Sequence, residues 1–202
     1  MKIIDVECHL LTCQQRFSAA GKVYTSSSAL VRVRTDEGVD GLGDPLSAYH
    51  CPEVIPPLVD YYKKELLGED PRRISHLWRK MHSASLWWGR SGPALSVLGA
   101  LDNALWDIKA KALGVPLYEL LGGLANDRLR VYATGASAVQ PLAKTVDVVK
   151  GYVAEGFTAF KIGTGYLDQP YGTLRFDEAV AQEAEKVAAL RAAVGPTIDI
   201  LI

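Results

Sequence analysis

The last third of the chain sets the tightest limit on its fold. "LRVYATG", "FTAFKIG" and "TIDILI" are short branched or aromatic runs of strand length. Two helical stripes lie between them. Leu142, Val146, Val149 and Val153 are spaced 4-3-4 and close at Gly156. Val180, Ala184, Val187, Leu190 and Val194 repeat the period and close at Gly195. Strands alternating with helices predict β-α-β-α-β, a parallel sheet with crossover helices. Three such strands do not close a barrel, which takes eight. In a small open sheet "TIDILI" would be an exposed apolar edge, a hazard that native folds avoid. The run reaches Ile202 with no further strand to cover it.

The first 45 residues read as β. Ile3 to Leu11 is one strand. "SSALVRVRT", Ser27 to Thr35, alternates Ala29, Val31 and Val33 with Leu30, Arg32 and Arg34, and leads through "DEGV" into "DGLGD". That pattern predicts a hairpin between a second and a third strand. The polar segment between strands one and two, "CQQRFSAAGKVYTSS", reads as a long loop of functional type. The period then changes. Ile55, Val59, Tyr62 and Leu66 form a helical stripe ended by Gly68, and Asp70 with Pro71 is placed at the start of a second helix. "SGPALSVLGALDNALWDIKAKALG" is the strongest helix. Leu98, Leu101, Leu105, Ile108 and Ala112 share one face, and Gly99, Ala100 and Ala104 leave room for a close neighbour. "VPLYELLGG" is a short helix. The expectation is an α+β domain over residues 1–126 and the beginning of an α/β domain over 127–202.

With 202 residues, 49% of them hydrophobic, the chain can bury a sizeable core. Its net charge of −1 and lack of like-charge blocks leave no basic footprint for a nucleic acid. No apolar run approaches a membrane span, and "MKIIDVECHLLTC" lacks the features of a signal peptide. Cys8, Cys13 and Cys51 have no metal spacing and cannot all pair, which fits a reduced, cytoplasmic protein. The histidines at 9, 50, 76 and 82 have no ligand spacing either.

"GRSGPALSVLGALDNALWDIKAKALGVPLYELLGG", Gly89 to Gly123, resembles the hallmark helix pair of the mandelate racemase/muconate lactonizing enzyme family of the enolase superfamily. "VRVRTDEGVDGLGDP" is similar to that family's capping-domain hairpin, with Asp44 in the acidic position after Gly-x-Gly. "GFTAFKIG" resembles its second barrel strand. The resemblance implies an α+β capping domain, a TIM-type (β/α) barrel and a Mg²⁺ ion held by three carboxylates at the ends of the third, fourth and fifth barrel strands. The third strand, "IDILI", stops one residue before the first of these is due. The metal ligands are therefore expected beyond Ile202, and none is assigned within the chain. Asp199 lies four positions too early and reads as a charge near the strand start.

The resemblance further implies proton abstraction α to a carboxylate, with Mg²⁺ stabilising the enediolate. In the racemase and lactonizing branches the second strand ends Lys-x-Lys. The first Lys lies beside the substrate carboxylate and lowers the pKa of the second, which is the base. Here the sequence is Lys161-Ile162-Gly163. Lys161 remains as the carboxylate's partner, and glycine cannot serve as the base. That departure favours a Mg²⁺-dependent acid-sugar dehydratase, whose base comes from a later strand. Two alternatives stay open: a racemase or cycloisomerase of the same family, and a non-catalytic piece lacking the metal ligands. Phe17, Tyr24 and Tyr49 on the cap's two specificity loops, together with Arg90 in "SLWWGR", are the candidate substrate-binding residues. The expected ligand is a small carboxylate, a sugar acid. A homo-oligomer is the expected assembly, and these 202 residues alone are expected to be inactive.

Overall fold

The computed structural model describes residues 1–16, 23–136, 141–163 and 175–202. They fall into two compact units: Met1–Gln15 with Val23–Ala125, and Asn126–Ile202. The first unit holds a three-stranded sheet in the order β1 (Ile3–Arg16), β2 (Val23–Thr35), β3 (Gly41–Gly43). β2 and β3 form the antiparallel hairpin that the sequence predicts, with Val31 opposite Gly43 and Val33 opposite Gly41. One expectation needs correction. Both strands run well into the segment read as a loop, to Arg16 on one side and from Val23 on the other. Thr12, Val23, Tyr24 and Thr25 are good strand formers. This stretch of sequence has no apolar alternation to announce a strand. Residues 17–22, at the centre of that segment, lie outside the described residues.

Small residues bring β3 onto the long helix α3 (Gly92–Leu113). A Cβ added to Gly43 would stand 1.9 Å from the Ala100 carbonyl oxygen, and one added to Gly41 2.0 Å from that of Ala104. Neither separation is physically possible, so the "GLG" strand exists to let sheet and helix backbones touch. The approach is made over Ala100 and Ala104. Gly99, grouped with them from the sequence, faces open space. Ala112, placed on the core face, is exposed in the last turn. The helix ends as expected at Gly114, whose φ of 68° suits only glycine at little cost.

Helices α1 (Ile55–Leu66) and α2 (Ile74–Ala84) complete this layer. The α1 stripe is buried as spaced: Ile55, Val59, Tyr62 and Leu66. The start of α2 differs from expectation. Asp70 caps a turn rather than the helix: its carboxylate accepts the Arg72 backbone N–H at 3.0 Å, and its carbonyl accepts the Arg73 N–H at 3.1 Å. The helix begins only at Ile74. The same Asp70 carboxylate takes the Arg72 guanidinium at 2.8 Å.

The second unit runs β4 (Ala133–Ala136), α5 (Leu142–Ala154), β5 (Ala159–Ile162), α6 (Phe176–Val194), β6 (Asp199–Leu201), after a short helix α4 (Leu117–Leu120) that belongs to the first unit. The strands are parallel and in sequence order, β4-β5-β6. Ala133, Phe160, Ile162 and Ile198 are buried with Val149 of α5 and Leu190 of α6, so both helices cover the same face. A sheet wound in one direction with helices on one face is the opening of a (β/α) barrel rather than of a doubly wound sheet. Two expectations shift. Leu129 to Tyr132 precede the strand instead of opening it; Arg130 there is bonded to Thr158, just before β5. The α6 stripe is split. Leu190 and Val194 pack on the sheet. Val180, Ala184 and Val187 instead line an open apolar groove of about 770 Å³ with Phe176, Ala188 and Ile202. β6 is the edge strand on that side, so among the described residues no strand lies under this part of the helix.

Candidate active site

Strand alternation decides which side chains of β5 are available for chemistry. Phe160 and Ile162 are 1% and 2% exposed and pack under the helices. Lys161 lies between them and is exposed, pointing to the helix-free face. In register its neighbours are Thr134 of β4 and Leu201 of β6. Gly163, two residues on, has no side chain.

Two cations from outside β5 hold its ends. At the N-terminal end the Arg130 guanidinium donates to the Thr158 hydroxyl at 3.0 Å and to the Thr158 carbonyl at 2.9 Å. It also pairs with Asp199 at 2.6 Å. Asp199, the first residue of β6, is thus exposed and ion-paired at the strand start. At the opposite end the Lys186 ammonium of α6 donates to the Gly163 carbonyl at 3.2 Å. Neither Arg130 nor Lys186 stands out in the sequence; each lies more than twenty residues from its partner.

The capping candidates sit in the first unit. Tyr49 closes a 3-10 turn, Leu46–Tyr49, and is half exposed, with its ring edge-on to His50 at 4.9 Å. The Ser47 N–H donates to the Ser96 hydroxyl at 3.1 Å, which fastens this turn to α3. Arg90 is exposed between α2 and α3. No hydrogen bond or ion pair joins Tyr49 to Arg90 among the described residues. Phe17 and the Tyr24 side chain lie outside the described residues; the Tyr24 backbone belongs to β2. Trp87 is almost wholly exposed, while Trp88 stands edge-on to Tyr61 at 5.0 Å, so neither enters the core. His82 stacks on Trp78 at 4.8 Å within α2. Asp44 accepts from the Ser28 hydroxyl at 3.4 Å. Among the described residues no three His, Cys, Asp or Glu side chains gather where they could hold a metal ion. No helix among them is long and apolar enough to cross a membrane.

The chain is similar to known proteins. The family model for the mandelate racemase / muconate lactonizing enzyme N-terminal domain matches residues 7–122. A D-galactonate dehydratase from Verminephrobacter eiseniae is 38% identical over 169 residues, which is 84% of this chain and 42% of that protein. A D-mannonate dehydratase from Novosphingobium aromaticivorans is 38% identical over 148 residues, 72% of this chain and 36% of its own length. The crystal structure of the 3,6-anhydro-D-galactonate cycloisomerase from Zobellia galactanivorans superimposes with a TM-score of 0.80 at 28% identity, over 99% of this chain and 50% of that one. The chain therefore spans half or less of the length of each of these proteins. Its hairpin, its Gly41/Gly43 seat on α3 and its parallel βαβ succession all fall in the matched regions, and the chain belongs to the mandelate racemase/muconate lactonizing enzyme family of the enolase superfamily.

Proposed function

We propose that the protein is an acid-sugar dehydratase in which Lys161 binds the substrate carboxylate. The observation that carries this reading is the pair Lys161 and Gly163: a cation on the helix-free face of β5, followed on the same face by a residue that cannot take a proton. An ammonium beside a carboxylate gives a charge-assisted hydrogen bond. It also stabilises the negative charge that builds up there when the α-proton is removed. In the overall change the α-proton leaves to a base, hydroxide leaves the β-carbon with a proton from an acid, and the resulting enol becomes a 2-keto-3-deoxy acid. Gly163 cannot supply that base, so in this reading it comes from elsewhere in the protein. The names of the sugar-acid dehydratases that resemble the chain support the same class. Mg²⁺, the metal of this superfamily, would supply Lewis acidity to the enolised carboxylate. The described residues offer no ligand set for it. Phe17, Tyr24, Tyr49 and Arg90 are assigned to substrate binding on the cap, with Arg90 facing anionic groups. Residues 1–126 then act as the cap and residues 127–202 as the start of the barrel. We also propose a cytoplasmic homo-oligomer.

The test is to incubate the full-length protein with a panel of sugar acids, D-galactonate and D-mannonate among them, and to score 2-keto-3-deoxy products. Dehydration of at least one is expected, and Lys161→Met raises its KM. A racemised or cyclised product supports the second reading, which the likeness to a cycloisomerase favours. No turnover of any acid with magnesium present supports a non-catalytic role.

A further inference from the structure

β5 ends on its weakest residue. The β4–β5 ladder closes at Ala136 and Ile162, and the β5–β6 ladder closes at Lys161 and Leu201. Gly163 lies past the last rung of both. A glycine at a frayed strand end has the widest choice of backbone conformation, and it sits two residues from Lys161. Its carbonyl is nonetheless held, by the Lys186 ammonium at 3.2 Å. The Lys186 side chain is only 12% exposed, and Glu183, one turn earlier on α6, meets its ammonium at 2.6 Å. A largely buried ammonium is costly unless it is paired and hydrogen-bonded. Both conditions are met here, by a partner on its own helix and by the end of β5.

We propose that Lys186 is a positioning residue for Lys161: its ammonium ties the C-terminal end of β5 to α6 and fixes the strand from which Lys161 meets the acid. Glu183 holds that ammonium on the carbonyl and balances its charge, so Lys186 contributes geometry rather than a second positive charge for the substrate. This rests on the proposed role of Lys161 as the carboxylate's partner. The tie itself is independent of that role.

The experiment therefore has two arms, both on the full-length protein. In the first, amide hydrogen exchange is compared between the native protein and Lys186→Met. Exchange at Ile162 and Gly163 is expected to speed up at least tenfold, with β4 unchanged. Unchanged exchange at the end of β5 overturns the tie whatever the activity. The second arm uses the sugar acid turned over in the panel. Lys161→Met is expected to raise KM at least tenfold, since the carboxylate contact exists before and during reaction. Lys186→Met raises KM three- to tenfold with kcat within twofold, and Lys186→Arg restores most of the loss. The double variant is no worse than Lys161→Met alone, because both changes act through one ammonium. Additive losses, or a fall in kcat at constant KM, mark a merely structural lysine and overturn the proposal. If KM moves in Lys161→Met but not in Lys186→Met, the positioning role alone fails. If Lys161→Met leaves KM unchanged, the assignment of Lys161 fails first and its positioning by Lys186 with it. Should Lys186→Met not fold, Glu183→Gln decides: it loosens the ammonium, and a faster exchange at Gly163 is required.

Discussion

Gly43 and Gly99 look alike in the sequence and face opposite conditions. A methyl at Gly43 meets the Ala100 carbonyl, while one at Gly99 meets nothing within 4 Å. Gly43→Ala is expected to cost about 3 kcal/mol, at the upper end of overpacking, because backbone rather than a side chain must move. Gly99→Ala lies within α3 and is expected to gain about 0.5 kcal/mol from helix propensity and reduced freedom in the unfolded chain. Urea midpoints of the two variants check both signs, and equal midpoints would show that β3 does not seat on α3. The Gly-Leu-Gly hairpin could be read from the sequence. Which of the helix's small residues it faces could not, because that depends on a contact between segments more than fifty residues apart. Asp70 carries a prediction in pH. Hydrogen bonds from the Arg72 side chain, then from its backbone N–H, outweigh desolvation and hold its pKa at about 2, below the ordinary 3.8. A depressed carboxylate stabilises the fold above its unfolded pKa. That contribution is lost as pH falls from about 4 to about 2. Asp70→Asn is expected to remove this part of the acid transition, with a small effect because Arg72 is a surface partner. Unchanged acid unfolding of the variant below pH 4 counts against the pairing.

Elements with one buried face were legible; elements without one were not. The α1 stripe, the β2–β3 hairpin and the glycine at the end of α3 each follow from a local rule. The outer halves of β1 and β2 escaped because a polar ribbon has no period to betray it. The first turn of α2 was misplaced because an Asp two residues before an Arg can close a turn as well as cap a helix. Contacts between elements were the least legible. Tyr62 of α1 is fully buried, and its hydroxyl meets Ser85 Oγ, at the end of α2, at 2.8 Å. Burial pushes the Tyr62 phenol above its usual range, against the opposing effect of that hydrogen bond. Ser85 also donates toward the Met81 carbonyl at 3.3 Å. Ser85→Ala leaves the Tyr62 hydroxyl buried without this partner, so a loss of about 1–3 kcal/mol is expected. Adding Tyr62→Phe should recover part of it, since an apolar pair strands no donor. Denaturant unfolding of the single and double variants tests this, and a double variant worse than Ser85→Ala would refute it.

The two units differ in how much core each owns, and that sets where motion is affordable. Among the described residues the buried hydrophobic cluster around α3 in the first unit joins twenty residues, and that around β5 in the second joins six. Burial per element is what resists local opening. Within these 202 residues, which span half or less of the relatives' length, the strand that carries Lys161 lies in the unit with the smaller buried cluster. Its two ends are held by side chains, Arg130 at one and Lys186 at the other, rather than by a deep apolar layer. This explains why Lys161 could be singled out in the sequence while the ties on its strand could not: a strand motif is local, whereas its ties come from residues 23 and 28 positions away. Hydrogen exchange gives the consequence a number. In the 202-residue chain by itself, amides of Leu101 and Leu105 in α3 are expected to exchange at least a hundredfold more slowly than those of Phe160 and Lys161, about 2.7 kcal/mol in opening free energy at RT near 0.59 kcal/mol. Equal protection of α3 and β5 would mean that the second unit gains stability from something beyond its own buried cluster, and the Arg130 and Lys186 ties would then not be what limits the opening of β5.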